Sequence, residues 1–453
     1  MNFFKSSWAA LGAALLVAAC GGGGDGNQAP RIAFTSIVSF GDSLSDVGTY
    51  RVGSIAAAGG GKFTVNDATN PNTPTVWTEF LAAEMGLTSC AARVGGYGVP
   101  PAPPPNARCR NYAQGGARVE NPKGVGNATG AGDITGALTH PVVTQIANYA
   151  IDNGSANFTD TQLVTVAAGA NDIFGLTDQL KADAAAVGAT AGAAAGAQTF
   201  ASTLIASLAA GATNPATAAQ AIGAALLTES ARAGHTDLTV VQAAVGAAAV
   251  QPGNAAVASP TVYGPMVAAA QAAATTAGTA AGTKAGNAYA AGDGAAAAVT
   301  GMAIAATKLA GYVKANILAK GATHVVVSNL PDVSLTPMAN AAPETKPLIL
   351  AMTTTFNKTL QDSLAGTPGV VFVDAFSNLQ DQVSHPERYG LSNVTATACD
   401  LTKVPSSLVC SAATTVAGDS SRYMFADAVH PTPFVYKLQA QLVATYLAKA
   451  GWL

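Results

Sequence analysis

The sequence predicts an α/β fold of three layers, in which a mostly parallel sheet lies between layers of helices. Short segments rich in β-branched and aromatic residues, typical of buried strands, alternate along the chain with segments of helical spacing. A long stretch rich in alanine and glycine, residues 182–301, interrupts this alternation. We therefore expect one α/β domain, formed by residues 32–181 and 302–453, with an insertion between its two parts.

The predicted elements follow one another in a regular order. The first strand, 32–40, contains Ile, Val and Phe and leads into Gly41, and a helix over 76–85 ends at Gly86. The remaining predicted strands cover 163–168, 322–330 and 369–374, and predicted helices over 141–149, 303–320 and 347–364 precede them in turn. Strands separated by helices favour parallel pairing.

The inserted segment is dominated by alanine, glycine and threonine. Its stretches 216–227 and 240–250 favour helices, although each glycine costs about 1 kcal/mol relative to alanine in a helix interior. We interpret the segment as a helical insertion; a disordered low-complexity insert is the alternative.

Composition narrows the possible partners. Apolar residues make up 49% of the 453 residues, enough for a sizeable core, whereas charged residues make up only 10% and the formal net charge is -3. Because the sequence has no block or stripe of basic residues, we do not expect it to bind nucleic acid.

The N-terminus has the pattern of a targeting segment, 1–20. Lys5 precedes an apolar stretch, 8–19, that is too short for a stable membrane span. The stretch ends in Val-Ala-Ala before Cys20, which resembles a bacterial lipobox, and 21–31 is predicted to be a flexible tether. We expect an exported lipoprotein, periplasmic or at the outer membrane or cell surface, anchored through lipid on Cys20. The alternative is a cleaved secretory signal and a secreted protein.

Cysteine usage is consistent with export. With Cys20 lipidated, four of the five cysteines remain, and they form two local pairs in the sequence, Cys90 with Cys109 and Cys399 with Cys410. In an oxidising compartment each pair would close a loop by a disulfide. Four free thiols or a crossed connectivity are the alternatives. The absence of a Cys-x-x-Cys motif and of a nearby histidine cluster disfavours a zinc site, and we predict no metal.

The segment Gly41–Gly48 (GDSLSDVG) contains a candidate nucleophile, Ser43. A serine that directly follows a buried strand lies at the carboxyl edge of the sheet, where open α/β sheets bind ligands. We expect it at the start of a helix, whose free N–H groups favour a developing oxyanion. The alternative is a serine that only caps that helix.

A candidate base lies near the other end of the chain. A serine hydroxyl is a weak nucleophile without a base, and His430 follows Asp427 by three residues. A carboxylate at that spacing can turn back onto the imidazole and stabilise its protonated form. Asp374, at a predicted strand end, is a weaker candidate for this acid. The alternative for Asp427 and His430 is an ordinary surface loop.

Two further segments suit an oxyanion hole. Residues 111–117 (NYAQGGA) place Gly115 and Gly116 in a loop, where backbone N–H groups can approach a ligand closely. Asn171 follows the second predicted strand and could donate its amide to a tetrahedral oxyanion. Each segment could instead be a simple turn. We expect the aspartates next to these motifs (Asp42, Asp46 and Asp172) to bond backbone near their turns.

These four segments, in this order, resemble the blocks of the GDSL/SGNH hydrolase family. The resemblance implies a flavodoxin-like α/β/α fold and a serine hydrolase without a metal or organic cofactor. By position in the motifs, Ser43 is similar to the family's nucleophile and first oxyanion donor. Gly116 and Asn171 are similar to its second and third donors. Asp427 and His430 are similar to the rest of its triad.

The resemblance covers residues 32–181 and 302–453 and leaves out the insertion. It implies an esterase or lipase that cleaves carboxylic esters through an acyl-enzyme, with an ester or lipid as substrate. A phospholipase or lysophospholipase and a carbohydrate O-acetylesterase are alternatives within the same chemistry. A metal-dependent hydrolase and a non-enzymatic surface-binding lipoprotein are alternatives outside it. The sequence leaves the acyl and alcohol specificity and the oligomeric state open.

Overall fold

The computed structural model describes residues 32–103, 108–127, 129–130, 133–155 and 157–453. The predicted targeting segment 1–20, with Cys20, and the predicted tether 21–31 lie outside the described residues.

The described residues form eight strands. They are β1 (Ser36–Gly41), β2 (Val94–Gly96), β3 (Val99–Ala102), β4 (Gln162–Ala167), β5 (Val325–Ser328), β6 (Val370–Val373), β7 (Asn393–Thr397) and β8 (Tyr423–Phe425). The α-helices of the same residues are α1 (Gly53–Ala57), α2 (Trp77–Glu84), α3 (Val142–Asp152), α4 (Ala170–Ala209), α5 (Pro215–Ala231), α6 (Asp237–Ala249), α7 (Pro260–Ala291), α8 (Asp293–Tyr312), α9 (Pro337–Ala341), α10 (Lys346–Leu364), α11 (Ala375–Ser384) and α12 (Pro433–Lys449).

The central sheet has four parallel strands in the order β1-β4-β5-β6. They correspond to the four predicted strands, although β1 begins only at Ser36 and β5 is confined to Val325–Ser328. Two short pairs lie apart from this sheet, β2 with β3 and β7 with β8. The parallel strands are rich in valine because a sheet covered on both faces buries every side chain of its strands.

Two hydrophobic clusters cover the two faces of the sheet. Alternate strand residues such as Val38 and Val164 pack with α3, α8 and α10 on one face. The intervening residues, such as Ile37 and Leu163, pack with α2 and α12 on the other face. This alternation produces three layers and confirms the predicted α/β fold with a mostly parallel sheet.

The segment 182–301 is largely helical and forms what we call the arm. The predicted boundaries at 182 and 301 fall inside helices α4 and α8, so the chain passes from the sheet domain into the arm without a break in helix. Helices α4 and α7 pack antiparallel along glycines, with Gly188 against Gly282 and Gly192 against Gly278. Because glycine has no Cβ, the two backbones approach closely.

The arm has its own hydrophobic cluster. Residues of α4, α5, α6 and α7, including Leu204, Ile222 and Val245, pack together at a distance from the sheet clusters. By length and composition, the described stretch Pro260–Lys320 could cross a membrane. One such stretch is weak support for a span, since buried helices of soluble proteins meet the same criterion.

Two disulfides close local loops. Cys90 is bonded to Cys109 and Cys399 to Cys410, which is the local connectivity expected from the sequence. Cys399 and Cys410 are fully buried. Cys90 lines a cavity together with Thr35 and Ser36, at the start of β1.

Candidate active site

Ser43 lies in a tight turn directly after β1, at the carboxyl edge of the sheet. The expected helix start is wrong: the next helix, α1, begins only at Gly53. Two aspartates explain the difference. Asp42 Oδ1 accepts the Leu44 N–H, and Asp46 Oδ1 accepts the N–H groups of Gly48 and Thr49. Side chains that bond nearby backbone in this way favour turns over helix.

Ser43, His430 and Asp427 form a continuous chain of hydrogen bonds. Ser43 Oγ lies 2.8 Å from His430 Nε2. His430 Nδ1 lies 2.9 Å from each carboxylate oxygen of Asp427. A serine, an imidazole and a carboxylate in this order are the parts of an activated nucleophile.

A short loop between β8 and α12 brings Asp427 back onto His430. The Ala426 N–H donates to the His430 carbonyl, and the N–H groups of Val429 and His430 donate to Asp427 Oδ1. The carboxylate therefore receives backbone donors as well as the imidazole. This is the local turn that the three-residue spacing of Asp427 and His430 predicts.

The environment keeps Asp427 ionised. Burial of its carboxyl favours the neutral form. The adjacent imidazole of His430 and the N–H of Ser407, which donates to Asp427 Oδ2 at 2.8 Å, outweigh that effect and hold the pKa of Asp427 well below its usual range. An anion beside the imidazole can stabilise the imidazolium that forms when a serine gives up its proton.

Gly116 and Asn171 lie in the same cavity as Ser43. Gly116 has φ +80°, and a Cβ there would be 2.0 Å from the Val125 carbonyl oxygen, so this position requires glycine. The Asn171 side chain is buried at the start of α4 and donates one N–H to the Ala117 carbonyl at 2.9 Å. The Ser43, Gly116 and Asn171 positions predicted for an oxyanion hole are thus brought together.

Two aspartates hold the loop that contains Gly116. Asp46 Oδ2 accepts the Gly115 N–H at 2.9 Å. Asp172 accepts the Val119 N–H and Nε of Arg118. Both aspartates bond backbone, as expected, and they fix the loop at its two ends.

The cavity beside Ser43 has a volume of about 310 Å³. Most of its lining is apolar. The apolar residues come from two parts of the chain: Phe63, Tyr97, Val125 and Ala137 from the first, and Val333, Ala375, Leu379, Val435 and Leu442 from the second. Such a cavity suits an apolar ligand with a polar group at Ser43.

Asp374, the weaker candidate for the acid beside His430, caps a helix instead. Its carboxylate accepts hydrogen bonds from Asn329 Nδ2 and from the Ser377 N–H at the start of α11. It is a helix cap, and Asp427 is the carboxylate that contacts His430. Within the described part of the chain, no group of three or more His, Cys, Asp or Glu side chains is arranged to hold a metal ion.

Three features of the site could not be read from the sequence. The Phe63 ring lies 4.9 Å from the His430 ring, between ring centres. Ser407 donates its N–H to Asp427. Asp42 Oδ2 is buried and has no hydrogen-bond partner among the described residues. Each of these features arises only in the folded chain, and no local sequence motif indicates it.

A comparison with known protein families gives a match to part of the chain. The family model described as GDSL-like lipase/acylhydrolase matches residues 37–274, about half of the chain. This range contains Ser43, Gly116 and Asn171, whereas Asp427 and His430 lie beyond it.

Similar curated proteins carry the same family name. The GDSL esterase/lipase At1g06990 of Arabidopsis thaliana is 31% identical over 87 residues, which are 18% of this chain and 24% of that protein. The GDSL esterase/lipase At1g74460 of the same plant is 31% identical over 72 residues, 16% of this chain and 20% of that protein. The matches thus span about a quarter or less of these relatives. Because the family model covers more than half of the residues, the chain belongs to the GDSL-like lipase/acylhydrolase family, whose members are esterase- or lipase-type hydrolases.

Proposed function

We propose that the protein hydrolyses carboxylic esters, with Ser43 as nucleophile, His430 as general base and Asp427 as the acid that orients His430. The observation that carries this proposal is the hydrogen-bonded chain from Ser43 Oγ through His430 to Asp427. Ser43 and His430 line a mostly apolar cavity together with Gly116 and Asn171.

In the proposed reaction, Ser43 Oγ attacks the ester carbonyl carbon while His430 Nε2 takes its proton. The carbonyl oxygen becomes an oxyanion, which the N–H groups of Ser43 and Gly116 and the free N–H of the Asn171 amide stabilise. The imidazolium then gives its proton to the leaving alcohol, and an acyl-enzyme remains. Water, deprotonated by His430, attacks this ester and releases the acid and Ser43.

The cavity supports an ester with an apolar acyl group of short to medium length. Its lining is mostly apolar, and its volume of about 310 Å³ is at the lower end for ligand pockets. A sugar ring would leave hydroxyl groups against this lining without partners, which disfavours a carbohydrate O-acetylesterase. We expect hydrolysis of p-nitrophenyl esters to rise from acetate to a medium-chain ester and to fall for palmitate.

Replacement of Ser43 by alanine tests the assignment. Ser43→Ala should lower kcat on a p-nitrophenyl ester by about a millionfold, because the nucleophile and the base act as a unit. Ser45→Ala is the matched control: this second serine of the motif accepts a hydrogen bond from Trp77 Nε1, away from His430. It should stay active.

Both proteins must be folded by circular dichroism for the comparison to count. Substantial turnover by Ser43→Ala would refute the proposed function. A phosphonate probe that labels the wild type at Ser43, and not Ser43→Ala, would support it independently.

A further inference from the structure

The loop closed by the Cys399–Cys410 disulfide contacts the proposed triad acid. Ser407, inside this loop, donates its backbone N–H to Asp427 Oδ2 at 2.8 Å. The same oxygen lies 2.9 Å from His430 Nδ1. The loop therefore donates to one oxygen of the carboxylate, Oδ2, whereas the N–H groups of Val429 and His430 donate to the other, Oδ1.

The loop is tied to β8 at its start. The Ala398 and Cys399 N–H groups donate to the carbonyls of Phe425 and Ala426, directly before Asp427. The disulfide joins this fixed start to Cys410, three residues beyond Ser407. Its closure therefore limits where the Ser407 N–H can lie relative to Asp427.

Asn66 ties the end of the loop to a second segment, 62–66. Its N–H and its side-chain amide both donate to the Cys410 carbonyl, and the amide also donates to the Ser407 carbonyl. Within its own segment, Asn66 Oδ1 accepts the Lys62 N–H, and the amide donates to the Lys62 carbonyl. Asn66 is buried.

The segment 62–66 in turn contacts the proposed base. The Phe63 ring packs against the His430 ring, and Thr64 Oγ1 donates to the carbonyl of Pro431 at 2.9 Å. Through Asn66, one connected set of contacts thus reaches Asp427 from one side and His430 from the other.

We propose that the disulfide-closed loop Cys399–Cys410 and Asn66 form a positioning element that holds Asp427 against His430. The proposal rests on the proposed function and assigns these residues no part in bond making. The disulfide closes the loop covalently and so limits the positions that Ser407 can take. Both cysteines are buried in the folded protein.

The second disulfide provides a matched control within the same chain. Cys90–Cys109 also closes a short local loop, with a sequence separation of 19 against 11 for Cys399–Cys410. Cys90 lines a cavity together with Thr35 and Ser36 at the start of β1, whereas Ser43 follows the last residue of that strand. Removal of either bond should therefore lower thermal stability, whereas only one removal should disturb Asp427.

The experiment compares Cys399→Ser/Cys410→Ser with Cys90→Ser/Cys109→Ser on one p-nitrophenyl ester below their melting temperatures. We expect kcat of the first variant to fall about 10- to 100-fold, the range for a small misplacement of a reacting group, with KM unchanged. The control should keep its kcat. If the two variants have the same kcat, either equal to that of the wild type or equally reduced, the proposal is wrong.

Asn66→Ala keeps the test decisive if the first variant does not fold. This change leaves both disulfides in place and removes the amide link, so kcat should fall with KM unchanged in a protein that is folded by circular dichroism. If Cys399→Ser/Cys410→Ser does not fold and folded Asn66→Ala has the kcat of the wild type, the proposal is also wrong. Ser43→Ala, assayed in parallel, separates the two claims, because its retained activity would mean that the proposed function itself has failed.

Discussion

The pKa values of three buried aspartates near Ser43 differ because their hydrogen-bond partners and neighbouring charges differ. Asp427 has an imidazole and backbone donors, and its pKa is held low. Burial raises the pKa of Asp46 to about 6, although three backbone N–H groups oppose it. Burial raises the pKa of Asp42 to about 7, since Leu44 donates to one oxygen and the other has no partner among the described residues. In the folded protein Asp42 is therefore mostly neutral below about pH 7.

The raised pKa of Asp42 predicts a stability that falls with rising pH. Between about pH 4 and 7 the unfolded chain loses the Asp42 proton and the folded chain keeps it, so the free energy of unfolding falls as pH rises. Asp42→Asn removes this penalty and keeps an acceptor for the Leu44 N–H. It should stabilise the protein above pH 7 by up to about 4 kcal/mol relative to wild type, and much less near pH 4. Urea unfolding across this range measures the difference.

Asp178→Asn is the control for that experiment, since Asp178 is a solvent-exposed carboxylate on α4. Its effect on the free energy of unfolding should be small, because its ion pair with Lys181 is exposed to solvent on both sides. A stability difference between Asp42→Asn and wild type that is the same at pH 4 and pH 8 would show that Asp42 is not the group responsible.

Single residues of the candidate site differ in how far sequence could identify them. Ser43, Asn171 and His430 each lie in a short local motif, and Ser43 and Asn171 directly follow strands, so their placement at one sheet edge could be predicted. Phe63 and Ser407 contact the site through segments far away in the chain. Local patterns contain no information on such contacts, because they arise from tertiary packing.

At the scale of elements, helices α4 and α7 contact each other through glycines, which have no side chain to hold the backbones apart. A Cβ on Gly278 would lie 2.9 Å from the Gly192 carbonyl oxygen, and a Cβ on Gly282 would lie 2.8 Å from that of Gly188. Glycine weakens an isolated helix, yet here it allows two backbones to approach. The same glycines that lower the predicted helix propensity of the arm are therefore the residues that let its helices pack.

This contact predicts opposite effects for two glycines of the arm. Gly278→Ala should lower the free energy of unfolding by roughly 1 kcal/mol, because overpacking against α4 outweighs the better helix propensity of alanine. Gly246→Ala, in α6, should raise it by up to about 1 kcal/mol, since a Cβ there meets no atom of the described residues within 4 Å. Urea unfolding of the two variants measures both. An equal gain in both would show that α4 and α7 do not approach as described.

Element prediction succeeded where one local pattern dominates and failed where side chains compete with backbone. The apolar strands and the helices α2, α3 and α10 lie close to their predicted positions. The segment after β1 is a turn, because Asp42 and Asp46 take backbone N–H groups that a helix would use. Its sequence contains both aspartates, but the directions of their side chains follow from burial at the sheet edge.

On the scale of the whole molecule, the cavity and the arm are built from separate parts of the chain. The cavity lining comes from residues 43–174 and 331–442. The arm packs around its own cluster, which includes Leu204 and Val245. The alternation of strands and helices predicted the first part. The packing of the arm follows from glycines at four-residue spacing on two distant helices (Gly188, Gly192 and Gly196; Gly278, Gly282 and Gly286), and that spacing alone does not say which helices pair.

This separation predicts that the outer arm can be removed without loss of hydrolysis. The backbones of α4 and α7 are close at Ala184 and Gly286, where a Cβ on Gly286 would lie 2.9 Å from the Ala184 carbonyl oxygen. Residues 185–285 can therefore be replaced by a turn of about four residues, as in other antiparallel helix pairs. None of these residues, all of which the structure describes, lines the cavity beside Ser43.

The shortened protein should keep kcat on a short-chain ester within about tenfold, or 1.4 kcal/mol of activation free energy. Ser43→Ala in the shortened chain gives the background rate. A shortened protein that is folded but no more active than this background would show that the arm takes part in catalysis, and the separation argued from the two clusters would be wrong.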